Sequence, residues 1–312
     1  MSEAKTKSKP ILIAGPTASG KSALALAIAE HVGGVIINAD SMQVYRELRI
    51  LSARPTAEEE ARVPHLLYGF VPAAEAYSTG RFVRDAADAI AMAQEDGRRP
   101  IIVGGTGLYF KALLEGLSPI PPIDDAIREH WRAEAEWRGA AGLHDELSIR
   151  DATMAARLAP GDTQRIVRAL EVFEQTGTSL AEWQKVQGTP VIEENETVRL
   201  LVAPDRATLH TRADARFDRM VASGALDEAR ALDVLGLDPT LPAMRAIGVR
   251  PLLAVIRGEQ GLETAVEAAK LETRQYIKRQ ETWLKRHMIA WKALSEKYME
   301  SNMREIFAFI QS

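Results

Sequence analysis

Gly15-Pro16-Thr17-Ala18-Ser19-Gly20-Lys21-Ser22 fits the pattern G-x-x-x-x-G-K-[ST] at every fixed position. Its glycines let the backbone curl so that N–H groups point inward at phosphate oxygens. Lys9–Gly15, carrying ILIAG, reads as a short buried strand that runs into the loop. Ser22–His31, rich in small and aliphatic residues, follows as a helix that Gly33-Gly34 stops. That helix adds its positive N-terminal end, Lys21 adds a point charge, and the Ser22 hydroxyl suits a hydrated Mg²⁺. The stretch therefore predicts a site for a di- or triphosphate. It does not specify the reaction, because the same loop serves hydrolases, kinases and some transferases.

Outward from the loop, strand and helix signals alternate. Val35–Asn38 is a second β-branched run, Thr79–Gln94 repeats Phe82, Val83, Ala86, Ala87 and Ile90 at helical spacing, and Ile101–Gly107 is a third strand entering a glycine turn. This order predicts an α/β fold, a doubly wound parallel sheet of the P-loop type with helices on both faces. The character changes at Ser118–Asp125, which holds three prolines in eight residues. From there to 196 the pattern is helical throughout, and Thr197–Pro204 then reads as a strand. The expected organisation is a tail at 1–9, a core of 10–117 and 197–312, and a helical insertion at 118–196.

The bulk numbers exclude several classes. The chain of 312 residues is 46% hydrophobic and 26% charged, ordinary for a soluble globular protein. Its longest apolar runs are too short to span a bilayer, and MSEAKTKSKP at the N-terminus has no apolar signal core. The absence of cysteine removes disulfides, thiol nucleophiles and cysteine-ligated metals. These features place the protein in the cytoplasm, with no membrane partner. A net charge of −4 means that any nucleic acid must be met by local basic patches.

Two further positions face the phosphate loop, because the carboxyl ends of parallel strands line one crevice. Asp40 follows the second strand and suits either a metal ligand, a general base or a helix N-cap. Thr106 lies in the turn Gly104–Gly107 and suits either a ligand contact or an N-cap of the next helix. Arg212 and Arg216 are four apart and share a helix face. Either reaches a phosphate, or both lie in surface ion pairs.

Three of these motifs, GPTASGKS, NADSMQVYREL and GGTGLYFKALLEGL, resemble in order and spacing those of the bacterial tRNA dimethylallyltransferases, also called tRNA isopentenyltransferases. The likeness continues through Ala76–Ala87, Asp162–Leu180, Met244–Leu252 and Lys278–Arg286, and covers about residues 10–292. It implies transfer of a dimethylallyl group from dimethylallyl diphosphate to the exocyclic N6 amine of the adenosine beside the anticodon. By resemblance the loop grips a leaving diphosphate with Mg²⁺, and no phosphoryl group moves. Asp40 matches the family's general base, and Thr106 its threonine near the acceptor amine. Arg212 and Arg216 are then candidates for the diphosphate.

The resemblance also implies contacts with the tRNA anticodon stem-loop. Asp40, Ser41, Met42, Gln43 and Thr106 match the stretches that meet the target nucleotide. Gln164, Arg165, Ile166, Val167 and Arg168 match a stretch in the helical insertion, and Arg128 aligns more loosely. Arg245, Lys278 and Arg279 match positions nearer the C-terminus. Lys270–Lys292 carries seven Lys/Arg against two Glu, which suits a phosphate-tracking face or merely a solvated one. Tyr276 and Trp283, seven apart, suit a buried stripe. The family members act as monomers, and the same is expected here. Two stretches depart from the family pattern: Ile50–Pro55 reads ILSARP in place of an IGTAKP-like run, and Val249 stands where many members have tyrosine. The rival readings are a small-molecule kinase using ATP and a non-catalytic RNA-binding switch.

Overall fold

A computed structural model describes residues 8–295 and 303–311. The first seven residues of the expected tail lie outside that range. Residues up to Leu114, together with those from Val191 onward, form one compact unit, and Glu115–Pro190 form a second.

The first unit is built on a six-stranded sheet in the order β3-β2-β4-β1-β5-β6, parallel at every pairing. The strands are β1 (Ile11–Ala14), β2 (Gly34–Asn38), β3 (His65–Leu66), β4 (Arg99–Gly104), β5 (Val198–Val202) and β6 (Lys292–Leu294). β1 is central, with Ile11 opposite Ile101 on one side and Val198 on the other. All four of its residues are buried, as a strand covered on both faces requires.

Alternate side chains separate the two faces. Ile11 and Ile13 pack with Leu24 and Ile28 of helix α1 (Lys21–Val32), and with Ile306 and Ile310 of the Met303–Gln311 helix. Leu12 and Ala14 pack on the other side with Phe82, Ile90 and Phe110. The sheet is therefore doubly wound, with helices on both faces. The helix expected at Thr79–Gln94 runs Thr79–Glu95, and the Ser78 hydroxyl caps it by accepting from the Arg81 N–H. Gly33 ends α1 in the left-handed region at φ +64°, returning its N–H to the Ala29 carbonyl.

The edge strands β3 and β6 had no counterpart in the sequence reading. They span two and three residues, too few for an alternation to register.

The second unit is helical, and its principal helices are Asp125–Arg150 and Thr163–Thr176. Gly139, at φ +67°, interrupts the first of these. Trp131, Leu143, Leu147, Ile166 and Leu170 form its core. Among the described residues of the chain, no helix is long and apolar enough to cross a membrane.

Candidate active site

Because the strands are parallel, β1, β2 and β4 deliver three turns to one edge of the sheet. The first is the Gly15–Ser22 loop. A Cβ on Gly15 would lie 2.6 Å from the Val202 carbonyl oxygen, so only glycine lets β5 pass this closely. Ala18 and Gly20 take left-handed backbone at φ +63° and +90°. The strained Ala18 is held by packing against Leu209, Ala213 and Ile277. Lys21 folds back over the loop, and its Nζ donates to the Pro16 carbonyl at 3.2 Å. The Arg216 guanidinium donates to the Thr17 hydroxyl at 2.5 Å.

The second turn carries Asp40. Its N–H donates to Asn38 Oδ1 at 2.8 Å, and Asn38 Nδ2 donates to the Asp40 and Leu67 carbonyls at 3.0 Å each. Asp40 Oδ1 accepts from the Met42 N–H at 2.9 Å, a local Asx turn. No helix follows, so the helix-cap alternative for Asp40 does not apply. The third turn meets the second through Thr106. Its hydroxyl accepts from the Ser41 N–H at 3.0 Å and donates to Ser41 Oγ at 3.4 Å, and its own N–H donates to the Ala39 carbonyl at 3.3 Å. The hydroxyl thus serves the neighbouring turn and does not cap its own helix. Gln43 donates from Nε2 to the Ser52 and Ala53 carbonyls, and Met42 packs against the core.

Asp40 is the electrostatic centre of this edge. Burial lowers the Lys21 ammonium from 10.5 to about 8; the Asp40 charge opposes that shift and Arg216 adds to it. Burial also lowers Arg216, again against the pull of Asp40. The phenols of Tyr68, Tyr109 and Tyr276 are pushed up by burial and then by the Asp40 charge. A carboxylate felt by two buried cations and three phenols marks a place where charge is managed.

A cavity of about 540 Å³ opens between the loop, Asp40 and Gln43 on one side and Arg212, Arg216 and Arg219 on the other. That volume suits a small phosphorylated ligand. Ser22 and Asp40 are among the oxygen-bearing residues that line the cavity, with Thr17 and Ser19 of the loop itself. No cluster of three metal-ligating side chains occurs among the described residues. This donor set fits Mg²⁺, which takes one or two protein oxygens and completes its shell with phosphate and water.

A second concavity, about 530 Å³, lies along the Leu262–His287 helix and is lined by Lys278, Arg279, Trp283 and Arg286 among others. The Trp283 ring stacks on His287 at 4.2 Å and its other edge covers Gly107, where a Cβ would collide with the indole. Lys278 and Arg279 are exposed, as is Arg245. Arg274, four residues before Lys278 on the same helix, is tied to Asp214 at 2.7 Å, and Lys270 to Asp218 at 2.8 Å.

In the helical unit Gln164 and Arg165 are exposed, Val167 is half-buried, and Arg165 pairs with Asp162 at 3.2 Å. Arg168 pairs with Glu171 at 3.3 Å and Arg128 with Asp125 at 3.7 Å. Ile166 is 0% exposed in that unit's core, so its side chain is committed to packing and corrects the expectation of an RNA contact there. Of the departures from the family pattern, Val249 is likewise fully buried. Arg54 donates to the Tyr45 and Arg46 carbonyls and covers Gly69, where a Cβ would meet its guanidinium.

Sequence reasoning missed Gln280. This residue is 6% exposed; its Oε1 accepts from the Thr17 N–H at 2.9 Å and its Nε2 donates to the Gly105 carbonyl at 2.9 Å. The available signal was a lone amide in the otherwise small and apolar stripe Ala269, Thr273, Ile277, Leu284.

The fold and this edge define a P-loop-type α/β enzyme whose cavity joins a cationic loop to a carboxylate. Family models match the chain, IPP transferase over residues 43–287 and isopentenyl transferase over 9–66. A tRNA dimethylallyltransferase of Parvibaculum lavamentivorans is 52% identical over 304 residues, 97% of this chain and 96% of that one. One from Mesorhizobium japonicum is 53% identical over 289 residues, 91% and 88% of the two chains. The crystal structure of the Bacillus halodurans tRNA isopentenylpyrophosphate transferase has a TM-score of 0.68 at 32% identity, covering 98% and 97%. A eukaryotic dimethylallyltransferase acting on tRNA has a TM-score of 0.79 at 28% identity, covering 96% of this chain and 78% of that one. The chain belongs to the IPP transferase family, as a transferase of the tRNA dimethylallyltransferase group.

Proposed function

We propose that the chain moves a dimethylallyl group from dimethylallyl diphosphate to N6 of the unpaired adenosine 3′ to the anticodon in tRNA. The observation that carries this reading is the position of Asp40, electrostatically coupled to Lys21 and Arg216 and tied through its turn to Thr106. The diphosphate lies in the Gly15–Ser22 loop, against Lys21, Arg216 and the N-terminus of α1, with Arg212 on the cavity wall. These groups stabilise the negative charge that grows as the allylic C–O bond breaks, a contribution typically worth about 3–4 kcal/mol per donor. The Ser22 hydroxyl would help to hold Mg²⁺ beside the diphosphate, and the ion would supply further positive charge there.

The C–N bond forms at the freed carbon, and the N6 proton passes to Asp40. Thr106 fixes the turn that presents the acceptor. The adenine reaches this edge only when turned out of its stack, at a cost of about a few kcal/mol that an unpaired loop base keeps low. Ser41, Met42 and Gln43 flank the flipped nucleotide. The stem-loop backbone is met by Lys278, Arg279 and Arg245, and in the helical unit by Gln164, Arg165, Arg168, Arg128 and the Val167 edge. The enzyme acts as a monomer in the cytoplasm.

The test incubates the protein with unmodified tRNA and Mg²⁺, adding dimethylallyl diphosphate in one arm and ATP in the other. A mass gain of one dimethylallyl group in the first arm alone supports the reading. ATP turnover without RNA modification overturns it in favour of a kinase or an RNA-binding switch.

A further inference from the structure

Gln280 does more than fill the inner face of the Leu262–His287 helix. A primary amide in a buried stripe is unfavourable unless both its ends are bonded. Here both are, and to two different turns. Oε1 takes the Thr17 N–H of the phosphate loop, and Nε2 gives to the carbonyl of Gly105, the residue before Thr106. Gly105 leaves room for this bond: a Cβ there would collide with Gln280 Nε2 and displace the amide. One turn further along, Trp283 covers Gly107. The helix is thus fastened to the donor loop at one point and to the acceptor turn at two. Its outer side carries Lys278, Arg279 and Arg286 along the basic concavity.

We propose that Gln280 is a positioning residue that couples occupancy of this basic concavity by RNA to the diphosphate loop. The inference rests on the prenyl-transfer reading above. RNA seated on Lys278 and Arg279 holds the helix, and the helix holds Thr17 and Gly105 in one relative position through a single amide. Thr17 adjoins Ala18, whose left-handed backbone persists only while its surroundings enforce it. Locking that peptide prepares the loop before the donor arrives, so each substrate tightens the binding of the other. The coupling is reciprocal by linkage.

The experiment measures the affinity for inorganic diphosphate with Mg²⁺, with and without a saturating anticodon stem-loop RNA. It compares the wild-type protein, Gln280→Leu and Gln280→Glu, with folding checked by circular dichroism. The wild type is expected to bind diphosphate about ten-fold tighter with RNA present. Gln280→Leu is expected to lose that ratio while its affinity for RNA alone stays unchanged, which a purely structural role does not produce. Gln280→Glu keeps the acceptor for Thr17 but donates to Gly105 only when protonated, and the nearby Asp40 carboxylate favours the protonated form. Its coupling should be present at low pH and vanish as pH rises, and this variant decides the matter should the leucine variant fail to fold. Undiminished coupling in folded Gln280→Leu, pH-independent coupling in Gln280→Glu, or a ratio of one in a wild type that transfers the prenyl group overturns the proposal. A wild type that transfers no prenyl group overturns the functional reading instead.

Discussion

Arg216 Nη2 lies 2.5 Å from the Thr17 hydroxyl, so the Arg206–Ala222 helix reaches into the phosphate loop through one guanidinium. The same guanidinium is buried beside Asp40 and Lys21, and it lines the cavity wall. A lysine here would supply charge without the planar fork that bonds a hydroxyl and a phosphate together. Arg216→Lys is therefore expected to raise the KM for the prenyl donor, and Arg216→Ala to lower kcat/KM by about 10²–10³. Steady-state kinetics at saturating tRNA measure both. Equal donor KM in the wild type and Arg216→Ala would remove Arg216 from the diphosphate site.

Lys21 gives the donor site a pH dependence with a defined sign. Its ammonium is held at about 8, so it is charged below that pH and neutral above it. Diphosphate affinity of the free enzyme should be full below about 8 and fall as pH rises through it. Bound diphosphate favours the charged form, so kcat should hold to higher pH than kcat/KM for the donor. Stability should move the other way. Between about 8 and the ordinary 10.5 the unfolded chain binds the proton that the folded one has released, so this group makes stability rise with pH across that window. Calorimetric titration of diphosphate and thermal unfolding over the same window should show opposite slopes. A donor affinity flat through about 8 removes Lys21 from the site.

The legible part of this molecule was the part in which local sequence decides local structure. The Gly15–Ser22 loop declares itself by its pattern, and Gly20 needs glycine for its own left-handed backbone, although Gly15 owes its glycine to the close pass of β5. β1, β2, β4 and β5 are visible as β-branched or aliphatic runs, and their parallel order alone puts Asp40 and Thr106 on the loop's edge. What escaped depends on distant partners. β3 and β6 exist only because a neighbouring strand offers hydrogen bonds to two or three residues. Gln280 acquires its role from Thr17 and Gly105, 263 and 175 residues away in sequence. Ile166 makes the same point, since its match to an RNA-contacting stretch says nothing of the core in which its side chain packs.

Glu228 supports the cavity from outside. Its carboxylate accepts from the N–H groups of Arg49, Ile50 and Leu51 at 2.8, 2.7 and 2.9 Å. The segment it anchors continues to Ser52 and Ala53, whose carbonyls hold Gln43 on the cavity wall. Glu228→Ala releases three charge-assisted donors, of which that of Arg49 is exposed and those of Ile50 and Leu51 are half-buried. The expected loss is about 1–3 kcal/mol, with most of it local to residues 49–55. Hydrogen exchange should show loss of protection at Arg49–Leu51 before any global change. The donor KM should rise as the Gln43 wall loosens. Unaltered protection at those three amides would mean that the segment holds itself.

Asp40→Asn separates the proposed base from the turn. The amide oxygen still accepts from the Met42 N–H, so the Asx turn and its link to Thr106 persist. What disappears is the proposed acceptor for the N6 proton and the charge facing Lys21 and Arg216. Single-turnover prenyl transfer should fall by about 10²–10⁴, the usual range for a lost general base, while tRNA affinity stays close to the wild type. A second signature follows from electrostatics. Asp40 raises the Lys21 pKa against burial, so its removal lets the ammonium fall below about 8. The pH at which diphosphate affinity declines should then shift downward in the variant. A merely positional Asp40 would leave catalysis near normal in Asp40→Asn, because the turn geometry is retained. Wild-type turnover in that variant would assign the proton to another acceptor, whereas a collapse of kcat together with the downward pH shift places Asp40 at both the chemical step and the diphosphate loop.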